Sequence, residues 1–167
     1  MAYTFTSISS PVGRLYLVGG GEKLQGLFFN PEKMQQHFKG EELTRGNSAV
    51  LKKTAQQLKE YFAGKRTRFS IPLSAAGTAF QKKVWQNLSK IPFGETVSYQ
   101  GLARMAGKVK ASRAVGGANG KNPICIVVPC HRVIAADGGI GGFTGGLAKK
   151  RKLLAIEQRA GKKRRAA

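Results

Sequence analysis

The chain has 167 residues, of which 41% are hydrophobic and 22% are charged, and its formal net charge is +21. This length and composition predict a globular protein with one domain or two small ones, and they exclude a disordered chain. No apolar run approaches the roughly 20 residues that span a bilayer, and the N-terminus lacks the basic and apolar regions of a signal peptide. The charge predicts a polyanionic partner, and nucleic acid fits better than a membrane because no basic helix has a broad apolar face.

The basic residues are concentrated in the second half of the chain. Residues 1–77 carry 11 basic and 5 acidic side chains, whereas residues 78–167 carry 18 basic and 3 acidic ones. The small polar residues 74–77 form the best boundary between these halves. We therefore expect an N-terminal domain over residues 1–77 and a strongly basic C-terminal domain over residues 78–167, which ends in a disordered basic tail.

The first half is expected to be a small α+β domain. Alternating apolar residues and glycine-containing turns predict an antiparallel meander, and apolar residues at helical spacing predict a helix that begins after Ser48 and ends at Gly64. The predicted strands cover residues 3–8, 15–18, 24–29 and 69–73. No cysteine occurs in this half, so we expect no metal site there.

The second half is expected to be mostly helical. Thr78 and Gln81 have the spacing of a helix-capping box, Trp85 is predicted to lie in the core, and Pro92 ends this helix. Two short helices separated by Gly107 then form a candidate helix-turn-helix, although many helix pairs look the same. The short helices cover residues 98–106 and 111–120, a glycine-rich loop covers residues 134–146, and a final helix covers residues 149–158.

The segment I-C-I-V-V-P-C-H-R-V, residues 124–133, contains the best candidate for a reactive side chain. Its apolar residues predict a short buried strand that Pro129 ends. Directly after this stop, Cys130 stands beside His131 and Arg132, and cationic neighbours favour the nucleophilic thiolate. The alternative is that Cys130 is an unreactive buried cysteine, which is the commoner fate of this residue type.

The other cysteine, Cys125, lies within the predicted strand and is expected to be unreactive. Because an extended strand rises about 3.3 Å per residue, two cysteines at these positions could not form a disulfide within it. We therefore expect a reducing intracellular compartment, cytoplasmic (nucleoid) or nuclear.

The motif P-C-H-R-V, residues 129–133, resembles the active-site motif of the O6-alkylguanine-DNA alkyltransferases. Residues 113–123 are similar to the family's recognition helix and hinge, and residues 141–157 are similar to its binding loop and C-terminal helix. Together with F-G-E-T-V-S-Y at residues 93–99, the similarity covers about residues 80–158 in the same order. The resemblance implies DNA repair by single, stoichiometric transfer of an alkyl group from O6-alkylguanine, and from O4-alkylthymine, to a cysteine of the protein, without a cofactor.

The resemblance also assigns catalytic roles. Cys130 would be the nucleophile, and His131 would reach it through a water molecule while Glu157 orients the imidazole. The Tyr99 hydroxyl would donate to N3 of the departing guanine. Because the resulting thioether has no leaving group for hydrolysis, the protein would act once per molecule.

Five further residues would hold the flipped base or brace its pocket. The backbone N–H of Thr144 would donate to O6, and the carbonyls of Cys130 and Val133 would accept from the exocyclic amine. Asn122 would brace the turn between the recognition helix and the active site. Phe143 and Thr144 replace the tyrosine and serine that are frequent in the family, which leaves the size of the accepted alkyl group open. The five residues are Asn122, Val133, Phe143, Thr144 and Gly145.

The resemblance places Arg113 on the recognition helix, where the family's arginine enters the duplex through the minor groove and fills the gap left by the flipped nucleotide. A stacked guanine cannot reach a buried thiol, so base flipping is required. The glycines of this helix would let its backbone approach DNA, although tight packing against another helix explains them equally well. The residues expected to contact DNA are Ser112, Arg113, Ala114, Gly116, Asn119 and Arg132.

Three other functions compete with this interpretation. A non-catalytic lesion-binding protein would replace Cys130, which is present here. A helix-turn-helix regulator that senses alkylation should carry several base-reading side chains, and this helix offers mainly Arg113 and Asn119. A cysteine hydrolase usually draws its cysteine and histidine from distant parts of the sequence. We therefore expect a monomeric alkyltransferase that binds double-stranded DNA carrying O6-alkylguanine, with no metal ion and no membrane association.

Overall fold

The computed structural model describes the backbone of residues 2–166 and the side chains of residues 2–161. The chain divides into two compact units, Met1–Ala76 and Gly77–Ala167, and the division falls within the small-residue segment 74–77. None of the described helices is long and apolar enough to span a membrane.

The first unit combines a four-stranded sheet with two helices. Its elements are β1 (Ala2–Ile8), β2 (Leu15–Gly20), β3 (Lys23–Phe28), α1 (Pro31–His37), β4 (Glu42–Arg45) and α2 (Ala49–Phe62). β2 pairs antiparallel with β1 and β3, which confirms the predicted meander. β4 pairs in parallel with the other edge of β1, so the strand order is β3-β2-β1-β4 and the sheet is mixed where the sequence predicts an antiparallel one.

The sequence patterns do not indicate α1 or β4. Asn30 caps α1 by accepting a hydrogen bond from the Lys33 N–H at 2.7 Å, and Pro31 lies in the first turn. These are good start signals, but only Met34 of this helix is buried, so the apolar stripe that reveals most helices is missing. β4 is likewise a short, mostly exposed edge strand without apolar alternation.

α2 begins directly after Ser48, as predicted, and buries its apolar stripe. The predicted strand at residues 69–73 is wrong, because of this segment only Leu73 forms a bridge, with Leu24 of β3. Pro72 has no N–H group to donate, so a regular ladder cannot continue through this segment.

The second unit contains, in its described residues, four helices and a two-stranded parallel sheet. Its elements are α3 (Ala79–Leu88), β5 (Val97–Ser98), α4 (Tyr99–Met105), α5 (Ser112–Gly120), β6 (Val133–Ile134) and α6 (Leu147–Ala166). The predicted capping box at Thr78 is present, and Trp85 lies in the core with its indole N–H donating to the Ala118 carbonyl at 2.8 Å. α4 and α5 form the predicted helix pair, and Gly107, with a φ of 69°, ends the first of them.

The apolar run at residues 124–128 is buried as predicted, but it is not a strand. Ile126 has a φ of 72°, and the Val127 N–H donates to the Cys125 carbonyl at 2.8 Å, which defines a γ-turn. Hydrophobicity alone cannot distinguish an extended from a turned segment when every side chain is buried. The strand near the candidate thiol is instead β6, which follows Cys130 and pairs in parallel with β5.

The glycine-rich loop is confirmed, because residues 135–146 contain no helix or strand. α6 begins at Leu147, two residues before the predicted start, and its backbone continues to Ala166. The prediction that the basic tail is disordered is therefore wrong for the backbone of residues 161–166, which is helical. The side chains of residues 162–167 lie outside the described part of the structure.

Candidate active site

Cys130 begins a short 3-10 turn, Cys130–Arg132, directly before β6. Its side chain is buried and borders a cavity of about 200 Å³. Such a volume is smaller than that of most drug-binding pockets, which enclose roughly 300–1,000 Å³, and suits a single nucleobase. The other lining residues are Tyr99, Gly116, Asn119, Gly120, Gly142, Phe143 and Thr144. The fold thus brings Tyr99, Phe143 and Thr144 to the cysteine.

Glu157 of α6 binds two basic side chains inside the second unit. Its Oε2 accepts from His131 Nε2 at 2.6 Å and from Arg132 Nη2 at 3.1 Å, and its Oε1 accepts from Arg132 Nε at 2.9 Å. Although burial raises the pKa of this carboxyl group, the hydrogen bonds and charges of His131 and Arg132 outweigh burial and lower the pKa of Glu157 to about 2. Glu157 is therefore ionised at neutral pH.

His131 is fully buried, and burial lowers its pKa below the usual value of 6.5. Because the ionised Glu157 accepts at Nε2, the neutral imidazole carries its proton on Nε2 and presents a lone pair at Nδ1. No described residue forms a hydrogen bond with this Nδ1. His131 therefore offers a basic nitrogen that can accept a proton within the buried site.

The sequence predicts a DNA contact for Arg132, and this prediction is wrong. Its side chain is only 7% exposed, and its Nη1 donates to the Ile91 carbonyl at 2.7 Å. The guanidinium also lies over the Phe93 ring, 5.7 Å from the ring centroid. Arg132 neutralises the buried Glu157, so its charge serves the interior of the unit and not a phosphate group.

Cys125 and Cys130 are both free and buried, and the Cys125 sulfur lies 3.7 Å from the Asn122 carbonyl oxygen. The segment between them is not the predicted extended strand, because it contains the γ-turn at Ile126. The hydrogen bond from Cys125 lowers the pKa of Cys130. Burial opposes this shift, whereas a hydrogen bond from Asn122 and the positive charge of Lys150 add to it.

Lys150 is a site residue that the sequence interpretation does not include. It is fully buried in α6, and its Nζ donates to the Val133 carbonyl at 2.6 Å and to the Gly142 carbonyl at 2.9 Å. Lys150 thus connects β6 to the glycine-rich loop. The signal that could have revealed it is its spacing, because Lys150, Leu153 and Glu157 lie at i, i+3 and i+7 on one helical face.

Asn122 holds both ends of the turn that precedes the cysteine. Its Nδ2 donates to the Val128 carbonyl at 2.8 Å, and its Oδ1 accepts from the Ile124 N–H at 3.0 Å. These contacts lie between α5 and the 3-10 turn. They are the contacts that the bracing role of Asn122 requires.

Val133 and Gly145 are not among the described residues that line the cavity. The Val133 carbonyl, which was assigned to the exocyclic amine of guanine, accepts from Lys150. The Thr144 hydroxyl donates to the Gly120 carbonyl at 3.0 Å. This hydrogen bond ties the glycine-rich loop to the C-terminus of α5 beside the cavity.

α5 has an exposed face and a cavity-facing one. Arg113 and Ala114 are exposed and Ser112 is partly exposed, as contact with DNA requires. Asn119 is only 5% exposed and lines the cavity, so it lies away from the exposed face of α5, and its contact with DNA stays a prediction. Gly116, also predicted to contact DNA, is half-buried and lines the cavity as well.

Two glycines of α5 face open space. Apart from the backbone of the helix itself, no heavy atom of the described chain lies within 4 Å of a Cβ built on Gly117 or Gly120. Packing against another helix of the same chain therefore does not explain these two glycines. The close approach of DNA to these two glycines stays a prediction.

The chain is similar to known proteins along almost its whole length. Residues 1–75 match the family described as 6-O-methylguanine DNA methyltransferase, ribonuclease-like domain, and residues 79–159 match 6-O-methylguanine DNA methyltransferase, DNA binding domain. The methylated-DNA–protein-cysteine methyltransferase of Mycolicibacterium paratuberculosis is 43% identical over 155 residues, which cover 93% of this chain and 92% of the relative.

Two further comparisons agree with these matches. The constitutive methylated-DNA–protein-cysteine methyltransferase of Bacillus subtilis is 41% identical over 156 residues, which cover 92% of this chain and 94% of the relative. The crystal structure of Mycobacterium tuberculosis OGT in complex with DNA has a TM-score of 0.84 and 42% identity, and the match covers 96% of this chain and 94% of that one. The chain belongs to the 6-O-methylguanine DNA methyltransferase family.

Proposed function

We propose that this DNA-repair alkyltransferase moves the alkyl group from O6 of guanine, in double-stranded DNA, to the sulfur of Cys130. The observation that carries the assignment is the position of Cys130 at the wall of a base-sized cavity, with His131 and Glu157 behind it. Three residues of α5, the second helix of the helix-turn-helix pair, also line this cavity. A base that leaves the duplex beside α5 therefore enters a cavity that ends at the thiol.

The chemistry requires a thiolate, a carbon–oxygen bond that breaks, and hydrogen-bond donors for the departing guanine anion. His131 Nδ1 takes the thiol proton through a water molecule, and Glu157 holds the resulting charge in place. The Cys130 sulfur then attacks the alkyl carbon, the bond between that carbon and O6 breaks, and the guanine anion leaves. Tyr99, which lines the cavity, donates a hydrogen bond to N3 and the Thr144 N–H donates one to O6 as the charge develops.

Base flipping needs a side chain that occupies the vacated place in the duplex. Arg113 is exposed at the start of α5, with the exposed Ala114 beside it. The empty space at Gly117 and Gly120 lets the backbone of this helix approach DNA closely. We assign the flipping role to Arg113 and the close approach to these glycines.

Each molecule acts once. A thioether carbon–sulfur bond is stable to water, and His131 can move protons but cannot displace sulfur. Cys125, the second thiol, keeps its proton because the hydrogen bond to Cys130 and burial raise its pKa well above the usual value. It therefore cannot accept the alkyl group from Cys130.

We infer that the protein acts as a monomer, because one unit of the chain supplies Cys130, its partners His131 and Glu157, and the cavity beside them. Two free buried thiols fit a reducing compartment that contains DNA, which we infer to be the nucleoid or the nucleus. O4-alkylthymine is a second expected substrate.

The test is titration of a fixed amount of protein with excess duplex that contains O6-methylguanine. We expect one methyl group per molecule by intact-protein mass, located on Cys130 by peptide mapping, and no further product once the protein is spent. Cys130→Ala should abolish transfer and keep DNA affinity within a small factor. Product in excess of protein, or a methyl group on Cys125, would contradict the proposal.

A further inference from the structure

The helix α5 presents one polar side chain to the cavity. Three of its residues are among those that line the cavity, namely Gly116, Asn119 and Gly120. They are three and four positions apart in the chain, so they share one face of the helix. Because the other two are glycines, Asn119 supplies the only side chain that the described part of α5 places in the cavity wall.

The Asn119 side chain carries a buried acceptor that lacks a donor. The residue is 5% exposed, and no described residue forms a hydrogen bond with its Oδ1. Native structures contain few such atoms, because burial of a polar atom without a partner is unfavourable. The backbone carbonyl of Asn119, in contrast, accepts from the Asn122 N–H at 3.3 Å. The unpaired acceptor is therefore confined to the side chain, in a residue that borders the cavity.

Other acceptors near the thiol are already engaged. The carbonyls of Cys130 and Val133 were assigned to the exocyclic amine of guanine, but each of them accepts a hydrogen bond within the chain. The Val133 N–H donates to the Cys130 carbonyl, and Lys150 Nζ donates to the Val133 carbonyl at 2.6 Å. The Gly142 carbonyl also accepts from Lys150, at 2.9 Å. The Asn119 oxygen is thus the acceptor best able to bind a donor from outside the chain.

The exocyclic amine is the donor that O6-alkylguanine offers. Alkylation at O6 leaves N1 without a proton, so the ring nitrogens N1, N3 and N7 are all acceptors. The amine at C2 carries two hydrogens and is absent from adenine. The terminal torsion of an asparagine side chain is broad, so the amide can turn toward a bound base. An amide oxygen in this cavity therefore fits the amine of a flipped guanine.

We propose that the Asn119 side-chain oxygen accepts a hydrogen bond from the exocyclic amine of the flipped O6-alkylguanine. This role deepens the proposed function and rests on it. A purine without the amine would leave the buried oxygen unpaired, and a site built to bind a polar group rejects an analogue that lacks this group. Asn119 is then a residue that determines base specificity, and it takes no part in activating the Cys130 thiol.

The test compares single-turnover repair of two duplexes, one with O6-methylguanine and one with O6-methylhypoxanthine, the same base without its amino group. The ratio of the two rates cancels the reactivity of Cys130, and the difference in flipping between the duplexes is the same for every variant. We expect the wild type to favour O6-methylguanine about ten times more strongly than Asn119→Leu does. Asn119→Asp keeps an oxygen acceptor and should keep the wild-type ratio.

The matched control is Thr144→Val, which alters another lining residue and should change both rates while the ratio stays that of the wild type. Asn119→Leu should unfold at a temperature no lower than the wild type, because the oxygen that it removes has no partner in the described chain. A clear drop in this temperature would indicate a structural role and overturn the proposal. Asn119→Ala gives the same comparison of rates if leucine does not fit the cavity.

Equal ratios in the wild type, Asn119→Leu and Asn119→Ala would overturn the proposal, and so would loss of the ratio in Asn119→Asp. The same ratios are measured as duplex affinities in proteins that also carry Cys130→Ala, which need no alkyl transfer. A wild-type protein that removes no methyl group from either duplex would therefore contradict the proposed function, while the affinities would still decide the role of Asn119.

Discussion

In the second unit, the roles of Arg132 and His131 depend on the buried negative charge of Glu157. Glu157 and Arg132 neutralise each other in the interior, and Glu157 also fixes the tautomer of His131. A carboxylate in this position stabilises the fold only while both partners are present, because a buried charge without a partner is costly. The acid–base function proposed for His131 and the stability of the unit therefore depend on the same carboxylate.

Glu157→Gln should lower both stability and repair. The substitution leaves the Arg132 guanidinium without its counter-charge, so we expect a loss of about 3 kcal/mol in the free energy of unfolding. The repair rate should fall at least about tenfold, because the His131 imidazole is no longer oriented by an anion. Denaturant unfolding and single-turnover kinetics measure the two effects. Glu95→Gln, at an exposed position of the same unit, is the control and should change neither.

Arg113→Ala should slow repair of duplex DNA on the order of 10- to 100-fold, because Arg113 stabilises the flipped state and flipping costs a few kcal/mol. Reaction with free O6-benzylguanine base should be nearly unchanged, since that substrate needs no flipping. The control is Arg159→Ala, which removes an exposed arginine from α6. Equal slowing with both substrates would place Arg113 in the chemical step or in folding.

At the scale of the elements, α5 and the glycine-rich loop both line the cavity, and the Thr144 hydroxyl joins them. Gly141 shows why the loop needs small residues. A Cβ at this position would lie 2.9 Å from the Tyr99 hydroxyl oxygen, and its φ of 72° already favours glycine. The loop can therefore pass close to Tyr99 only because its backbone carries no side chain there.

Gly117→Ala should make the protein more stable and a poorer DNA-binding protein. Alanine is about 1 kcal/mol more favourable than glycine inside a helix, and the added methyl group meets no atom of the described chain. The same methyl group should hinder the approach of α5 to DNA and weaken duplex affinity several-fold. Thermal unfolding and duplex titration measure the two effects, and reaction with the free base should stay unchanged. Unaltered duplex affinity would show that the DNA does not approach α5 at this position.

At the scale of the whole molecule, positive charge is the dominant property. Residues 78–167 carry 18 basic and 3 acidic side chains, and one of the acidic ones, Glu157, is buried and paired. The exposed surface of the second unit is therefore almost uniformly basic. Such a surface attracts any duplex, whereas recognition of the lesion depends on the cavity.

DNA affinity should fall steeply as salt rises from about 50 to 200 mM, because bound counterions are released from the duplex. Removal of residues 162–167, which carry four basic side chains, should reduce the slope of log affinity against log salt by up to about 3 to 4. The preference for O6-methylguanine over guanine should not change. Fluorescence anisotropy at several salt concentrations measures both quantities, and an unchanged slope would exclude these residues from the DNA contact.

Stability should decrease as the pH falls below about 6.5, the ordinary pKa of histidine. The folded protein lowers the pKa of His131 below 6.5 and that of Glu157 from 4.5 to about 2. Because the unfolded chain binds protons more readily at both groups, stability that is present above their ordinary pKa values is lost as the pH falls through them. The shift of Glu157 corresponds to up to about 3 kcal/mol.

Denaturant unfolding followed by Trp85 fluorescence measures this effect, since Trp85 is the single tryptophan and lies in the core of the second unit. Glu157→Gln should lose less stability than the wild type between about pH 5 and pH 3, because glutamine does not titrate. Parallel pH profiles would show that Glu157 does not control the acid stability.

The sequence was sufficient to predict an element wherever the residues that cause the element lie next to one another in the chain. The meander, the capping box at Thr78 and the end of α4 at Gly107 follow from alternation, a capping side chain and glycine, whereas α2 begins after Ser48 without a capping hydrogen bond from that side chain. The motif around Cys130 identified the family because the order of its residues is specific. Elements without an apolar pattern, α1 and β4, could not be predicted in this way.

The tertiary structure alone decided which side chains meet. Arg132 follows His131 in a basic sequence, yet it is buried because a carboxylate 25 residues away lies opposite it. Lys150 and Asn119 look like surface residues in the sequence, but the helices that carry them turn both toward the site. The apolar segment before Cys130 turns at Ile126, whose positive φ no local preference predicts. Burial, ion pairing and backbone strain arise from contacts between segments that are distant in the sequence. The hydrophobic periodicity of a single segment therefore cannot predict them.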